Sequence, residues 1–208
     1  FAQYKWRKEY RLRRRLEQES MELHLQQLKN QINPHFLFNS LNSLSVLIGS
    51  DSALAREFVL KLSKVYRYLL ETRNESLSTV KEEMEFTRQY YFLQKIRFGE
   101  QLDLSIDVRP DCWEMKIPSV SLQMLVENAI KHNRVTLQNP LRIKIYDRDG
   151  CLIVENNYQP RAESSEESMG VGFERIQAIY DFYSDEKFVC GCQNGCYVCQ
   201  LPLLKNHL

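Results

Sequence analysis

The chain has 208 residues with a formal net charge of +1, 43% hydrophobic and 26% charged residues, and only seven glycines and six prolines. That composition supports a buried core and excludes a wholly disordered or collagen-like chain. The near-zero charge gives no general electrostatic case for binding nucleic acid, and none of the apolar runs reaches the roughly 18 residues that span a bilayer.

Residues 1–30 read as one charged helix. Leu12, Leu16 and Leu23 form one narrow apolar stripe and Met21, Leu25 and Leu28 another, which suits a two-stranded coiled coil. Its first fifteen residues carry seven Lys or Arg against Glu9 alone, interleaved with Phe1, Tyr4, Trp6 and Tyr10. Aromatic residues followed by positive charge fit the cytoplasmic exit of a transmembrane segment that precedes Phe1. A solvated basic face fits the same residues, and no nucleic-acid-reading element is recognisable, so direct nucleic-acid binding is not expected.

Two helices follow, 35–48 and 53–72, divided by Gly49 to Ser52, with Asp51 available as N-cap. This helical hairpin has too little core to stand alone, and pairing in a homodimer as a four-helix bundle is the economical solution. Val80 to Phe98 is a third helix, opened by Ser78 or Thr79 and acidic at its start. From Leu102 the period changes to two, predicting a strand, and a helix is expected over Pro118 to Lys131. Leu141 to Tyr146 and Cys151 to Glu155 are two more strands around an Asp149-Gly150 turn. Residues 158–169 are polar and read as a loop or lid. A helix from Val171 to Tyr183 precedes two strands around Asn194-Gly195. The fold class is therefore α+β: a helical part up to about residue 75, then a mixed domain from about 76.

Two segments carry chemistry. In Asn33-Pro34-His35-Phe36-Leu37-Phe38-Asn39, Pro34 bends or restarts the helix beside an imidazole. Neutral imidazole is a competent nucleophile near pH 7, and Asn39 lies one turn on, within reach of the ring. A structural histidine fits this segment as well. In the segment from Leu122 to Asn133, Glu127, Asn128, Lys131 and His132 fall on one face, away from Leu122, Leu125, Val126 and Ala129. Oxygen ligands suit Mg²⁺ and an ammonium suits phosphate, while an amphipathic helix with a polar face is the plainer reading.

Together these segments resemble the H box and N box of sensor histidine kinases, in the branch with a PHFLFN-type H box. Leu62 to Leu69, Val80 to Glu85, Tyr90 to Phe98 and Ile117 to Gln123 resemble further segments of that branch, in the same order. The resemblance runs from about Gln31 to Leu204. It implies a Bergerat-type ATP-binding α/β sandwich at 76–208, a dimerisation and phosphotransfer hairpin at 31–75, and a signalling helix at 1–30. It implies ATP with Mg²⁺, phosphorylation of His35, and transfer to a response-regulator Asp, usually on a regulator of LytTR type. The protein would be the cytoplasmic part of a membrane protein. Asn39 and Glu127 would assist the chemistry; Asn128 would ligate Mg²⁺; Lys131, His132, Asn156, Gly170 and Gly172 would contact nucleotide.

The chain departs from the family's pattern in three places. Asn156 stands at the position of the adenine-contacting Asp, the glycine after it is missing, and Arg175 stands where Asn is frequent. These departures leave an alternative open, a catalytically weak, histidine-kinase-like signalling dimer. The cluster Cys190, Cys192, Cys196 and Cys199 invites zinc. But a two-residue turn at Asn194-Gly195 pairs Cys190 with Cys199 and Cys192 with Tyr197, leaving Cys196 on the opposite face, so four ligands cannot converge.

Overall fold

The computed structural model describes residues 34–72, 75–161 and 170–205. The expected coiled coil at 1–30 and most of the expected lid, residues 162–169, lie outside the described residues. The chain divides into two compact units, residues 1–46 and 47–208.

Helix α1 spans Pro34–Ser50. Pro34 stands at its first position, where the locked φ suits a helix and the missing N–H removes nothing. Helix α2 spans Ser52–Glu71 and is capped by Asp51, whose carboxylate accepts from the Leu54 N–H at 2.9 Å. The short strand β1 (Leu77–Thr79) leads into α3 (Val80–Phe98) through a reciprocal capping box. Thr79 Oγ1 accepts from the Glu82 N–H at 3.2 Å, and the Glu82 carboxylate accepts from the Thr79 N–H at 2.8 Å.

Within the second unit α2 packs on α3. Phe58 and Val65 are each 1% exposed, Tyr68 stacks on Phe86 with centroids 4.3 Å apart, and Lys61 lies over the Phe92 ring. Strand β2 covers Leu102–Asp107, β3 Lys116–Pro118, and α4 Ser121–His132. The helix starts three residues later than its sequence pattern indicates, because Pro118 pairs in β3 and Val120 adopts a left-handed conformation. Strands β4 (Leu141–Arg148) and β5 (Cys151–Asn157), helix α5 (Gly170–Tyr183) and strands β6 (Val189–Gln193) and β7 (Cys196–Pro202) complete the order.

β1 and β3 form a small antiparallel pair; the main sheet has the order β2-β4-β5-β7-β6. Only β2 and β4 run parallel there, joined by the crossover that contains α4. Both tight hairpins place two consecutive residues at positive φ, Asp149 and Gly150, then Asn194 and Gly195. That is the type I′ geometry such pairs favour. Leu141, Ile143, Ile145, Leu152, Val154 and Leu201 are buried, while Arg142 and Lys144 alternate with them on the open face. One face of the sheet is thus covered by helices, giving a two-layer α/β sandwich.

Candidate nucleotide-binding site

Helix α4 turns one stripe into the core. Leu122, Leu125, Val126, Ala129 and Ile130 are buried there, while Asn128 and His132 are half-buried along its flank. Against that flank lies a cleft that opens to the surface. Its helical wall is Leu125, Asn128, Ala129, His132 and Asn133. Its floor is Val154, Asn156, Tyr197 and Cys199 from the sheet, and Tyr158, Pro160 and Phe173 close its sides. Tyr158 and Tyr197 stack with centroids 6.3 Å apart, and Phe173 meets Phe188 edge-on at 5.5 Å. The walls are aromatic and apolar and the polar groups few, as a stacked base requires.

Three of the residues singled out in the sequence meet at this cleft: Asn128, His132 and Asn156. The His132 pKa is lowered by burial and by the neighbouring Lys131 and Arg161 charges, so its imidazole is neutral at pH 7. Its Nε2 is buried with no hydrogen-bond partner among the described residues, a polar atom suited to a ligand. Asn156 is 4% exposed and donates its amide to the Asn157 carbonyl at 2.8 Å. That leaves its amide oxygen able to accept a hydrogen bond.

The other expected residues do not line the cleft. Lys131 is exposed, one residue before His132. Glu127 accepts from Gln123 Nε2 at 2.6 Å, one turn back on the same helix. Tyr90 of α3, whose hydroxyl accepts from Gln94 at 2.7 Å, lies beside this pair. Gly170 and Gly172 open α5. A Cβ on Gly172 would come within 2.6 Å of Met124 Sδ, so α5 approaches α4 closely there. Arg175 is exposed on α5. His35 and Asn39 belong to the first unit. His35 is exposed, and the Asn39 amide nitrogen lies 3.1 Å from its Nε2 and 3.2 Å from its Nδ1.

Sequence reasoning missed a strap. The Asn133 carboxamide oxygen accepts from the Gln159 N–H at 2.8 Å, and Gln159 Nε2 donates to the Arg134 carbonyl. Arg161 donates from its side chain to the Asn133 carbonyl at 2.8 Å and from its backbone to the His132 carbonyl at 3.1 Å. The start of the polar loop is therefore tied across the end of α4, where a cation also complements the helix dipole. The aromatic side chains were visible in the sequence, but their meeting at one cleft depends on long-range pairing.

The cysteine register is the expected one: Cys190 opposite Cys199, Cys192 opposite Tyr197, Gln193 opposite Cys196. The Cys190 contact, then burial, push the Cys199 thiol far up, so it is inert as a thiolate.

The histidine kinase family model matches residues 23–102. The sensor protein LytS of Staphylococcus saprophyticus is 30% identical over 158 residues, covering 74% of this chain and 25% of that protein. The sensor histidine kinase BtsS of Escherichia coli is 34% identical over 157 residues, covering 72% and 28%. This chain belongs to the sensor histidine kinase family. It spans about a quarter of the length of these curated relatives. Among solved structures, the cytoplasmic segment of histidine kinase QseC aligns over 62% of this chain and 78% of that one, with 11% identity and a TM-score of 0.44. The α+β fold of this sensor histidine kinase chain stands on its own strand order and helix packing. None of its described helices is long and apolar enough to cross a membrane.

Proposed function

We propose that this chain is the kinase part of a two-component sensor, which phosphorylates His35 from ATP and passes the phosphate to a response-regulator Asp. The observation that carries the reading is the aromatic-walled cleft beside α4, where Asn128, His132 and Asn156 present polar groups to an otherwise apolar space. Its polar groups fit a nucleotide: an amide oxygen that accepts from the base, a neutral imidazole and a carboxamide for phosphate and metal, with Lys131 one residue from His132.

Asn128 would hold Mg²⁺, which when bound would neutralise charge on the phosphates. Lys131 and His132 would face the phosphates, as would the backbone of Gly170 and Gly172 at the start of α5. Glu127, fixed by Gln123, orients groups near the phosphates. At His35 a ring nitrogen forms the N–P bond as the bond from Pγ to the ADP oxygen breaks, and ADP leaves. Asn39 holds the ring through its amide nitrogen.

The functional division is 1–30 for signal input, 31–75 for dimerisation and phosphotransfer, and 76–208 for ATP. Exposed apolar residues favour the dimer: Phe38, Leu41 and Val46 on α1, and Val59, Leu60 and Leu70 on α2. The regulator is of LytTR type, and the basic N-terminal segment sits below a membrane-spanning part, so the chain is cytoplasmic. The second reading, a catalytically weak signalling dimer, is favoured by Asn156 at the position of the usual Asp.

Incubation with γ-labelled ATP and Mg²⁺ separates the two. The kinase gives an acid-labile, base-stable label that His35→Gln removes. An unlabelled protein, or a label that survives His35→Gln, eliminates the kinase reading.

A further inference from the structure

Glu83 lies in the first turn of α3 and is completely buried. A buried carboxylate is retained only where its oxygens are satisfied. Glu83 accepts three hydrogen bonds, one from α2 and two from the start of α4: Tyr68 Oη at 2.8 Å, the Val120 N–H at 2.6 Å and the Leu122 N–H at 3.1 Å. The start of α4 needs this help. Val120 sits at its N-cap with φ 68°, makes no side-chain cap, and is β-branched, the residue type least suited to the left-handed region. The missing cap is supplied from another helix, with negative charge where the α4 dipole favours it.

Resting on the nucleotide-site reading above, we infer that Glu83 is a positioning residue for that site. Its carboxylate holds the strained first turn of α4 and couples it to Tyr68 of α2, the helix that follows the His35 segment. A helix moves as a rod, so displacement of its first turn carries Asn128 and His132 with it. Tyr68 is itself held by stacking on Phe86, so a shift of α2 reaches α4 through one carboxylate.

Around Glu83 the titratable groups are Tyr68 from α2 and Glu82 beside it on α3, while α4 contributes only amides. Burial pushes the carboxyl up to about 7, against the bonds from Val120, Tyr68 and Leu122. Its ability to accept from both amides therefore changes within the neutral range.

The test uses the full chain, as wild type, Glu83→Gln and Tyr68→Phe, with two readouts: amide hydrogen exchange at Val120 and Leu122, and calorimetric affinity for Mg–ATP between pH 6 and 8. Glu83→Gln faces one of the two amides with a donor. It is expected to speed exchange there about tenfold, to raise the Mg–ATP Kd about fivefold or more, and to flatten the pH profile. Tyr68→Phe keeps the carboxylate on both amides but removes a bond to its charged form, so the midpoint of the pH profile rises. Wild type that binds Mg–ATP beside a folded Glu83→Gln with unchanged affinity and pH profile overturns the inference. Wild type that binds no Mg–ATP removes the site reading instead, and is recognised by an exchange difference that persists without an affinity to change. If Glu83→Gln does not fold, Tyr68→Phe decides: an unmoved midpoint overturns the inference.

Discussion

Asn156→Asp restores the acidic residue usual at this position, and the structure argues that it destabilises this chain. Asn156 is 4% exposed, and its amide nitrogen donates to the Asn157 carbonyl at 2.8 Å. An aspartate there turns a donor into an acceptor and sets two oxygens against each other in a buried place. The loss is that of a buried unsatisfied group, about 1–3 kcal/mol. At roughly 2–4 °C per kcal/mol for a unit of this size, Tm falls by about 2–12 °C. The sign with pH follows from linkage. Desolvation and the facing carbonyl raise the folded-state pKa of the new carboxyl above its unfolded value near ~3.9. The folded state then binds more protons than the unfolded one. The penalty is absent below about pH 4 and grows as pH rises towards the folded pKa. Circular-dichroism melts of both proteins at pH 5 and pH 8 measure it, with the larger gap expected at pH 8. Equal Tm values, or a more stable variant at pH 8, would refute the idea that the Asn157 carbonyl selects asparagine.

Tyr197→Ala removes an aromatic floor from the cleft while leaving β7 paired. The affinity for Mg–ATP should fall about 5- to 150-fold, the worth of one base–aromatic stack, and an unchanged calorimetric Kd argues against a stacked base. Phe58→Ala, at a position 1% exposed between α2 and α3, should cost about 3–5 kcal/mol by denaturant unfolding. A loss under about 1 kcal/mol would show that α2 is not part of the core of the second unit.

Much of this arrangement can be read from periodicity because the elements are long or their turns are chemically explicit. Val80 to Phe98 has a capping box at Thr79 and Glu82 and a glycine stop at Gly99, so both ends are marked locally. The two type I′ turns fix the β4–β5 and β6–β7 registers to the residue, including the facing of Cys190 and Cys199. β1 and β3 escaped because three residues are too few for a period-two signal, and their pairing spans Leu77 to Pro118. The true start of α4 escaped for a related reason. Pro118 reads as a helix opener, but tertiary pairing draws it into β3 and leaves Val120 in a conformation that nothing in its own sequence favours. At the site, helical spacing separates the polar flank of α4 from its buried face. It cannot show that Tyr158, Phe173 and Tyr197, spread over forty residues, surround Asn156.

The strap beside the cleft gives the missing glycine a physical meaning. A glycine shortly after Asn156 would leave the backbone free to approach a ligand. Here the corresponding stretch is Tyr158 to Arg161, with Gln159 and Arg161 tied to Asn133, Arg134 and the His132 carbonyl. Bulk has replaced freedom, and the hydrogen bonds that hold the bulk also fix the last turn of α4. The same helix is held at its other end by Glu83 from α3. Asn128 and His132 therefore lie between two anchors, neither of which is made by α4's own side chains alone. A helix pinned at both ends presents its polar flank in one geometry, which pre-organises the cleft for a ligand. It also means that the geometry can change only when an anchor does, and the Glu83 anchor is the one that also contacts α2.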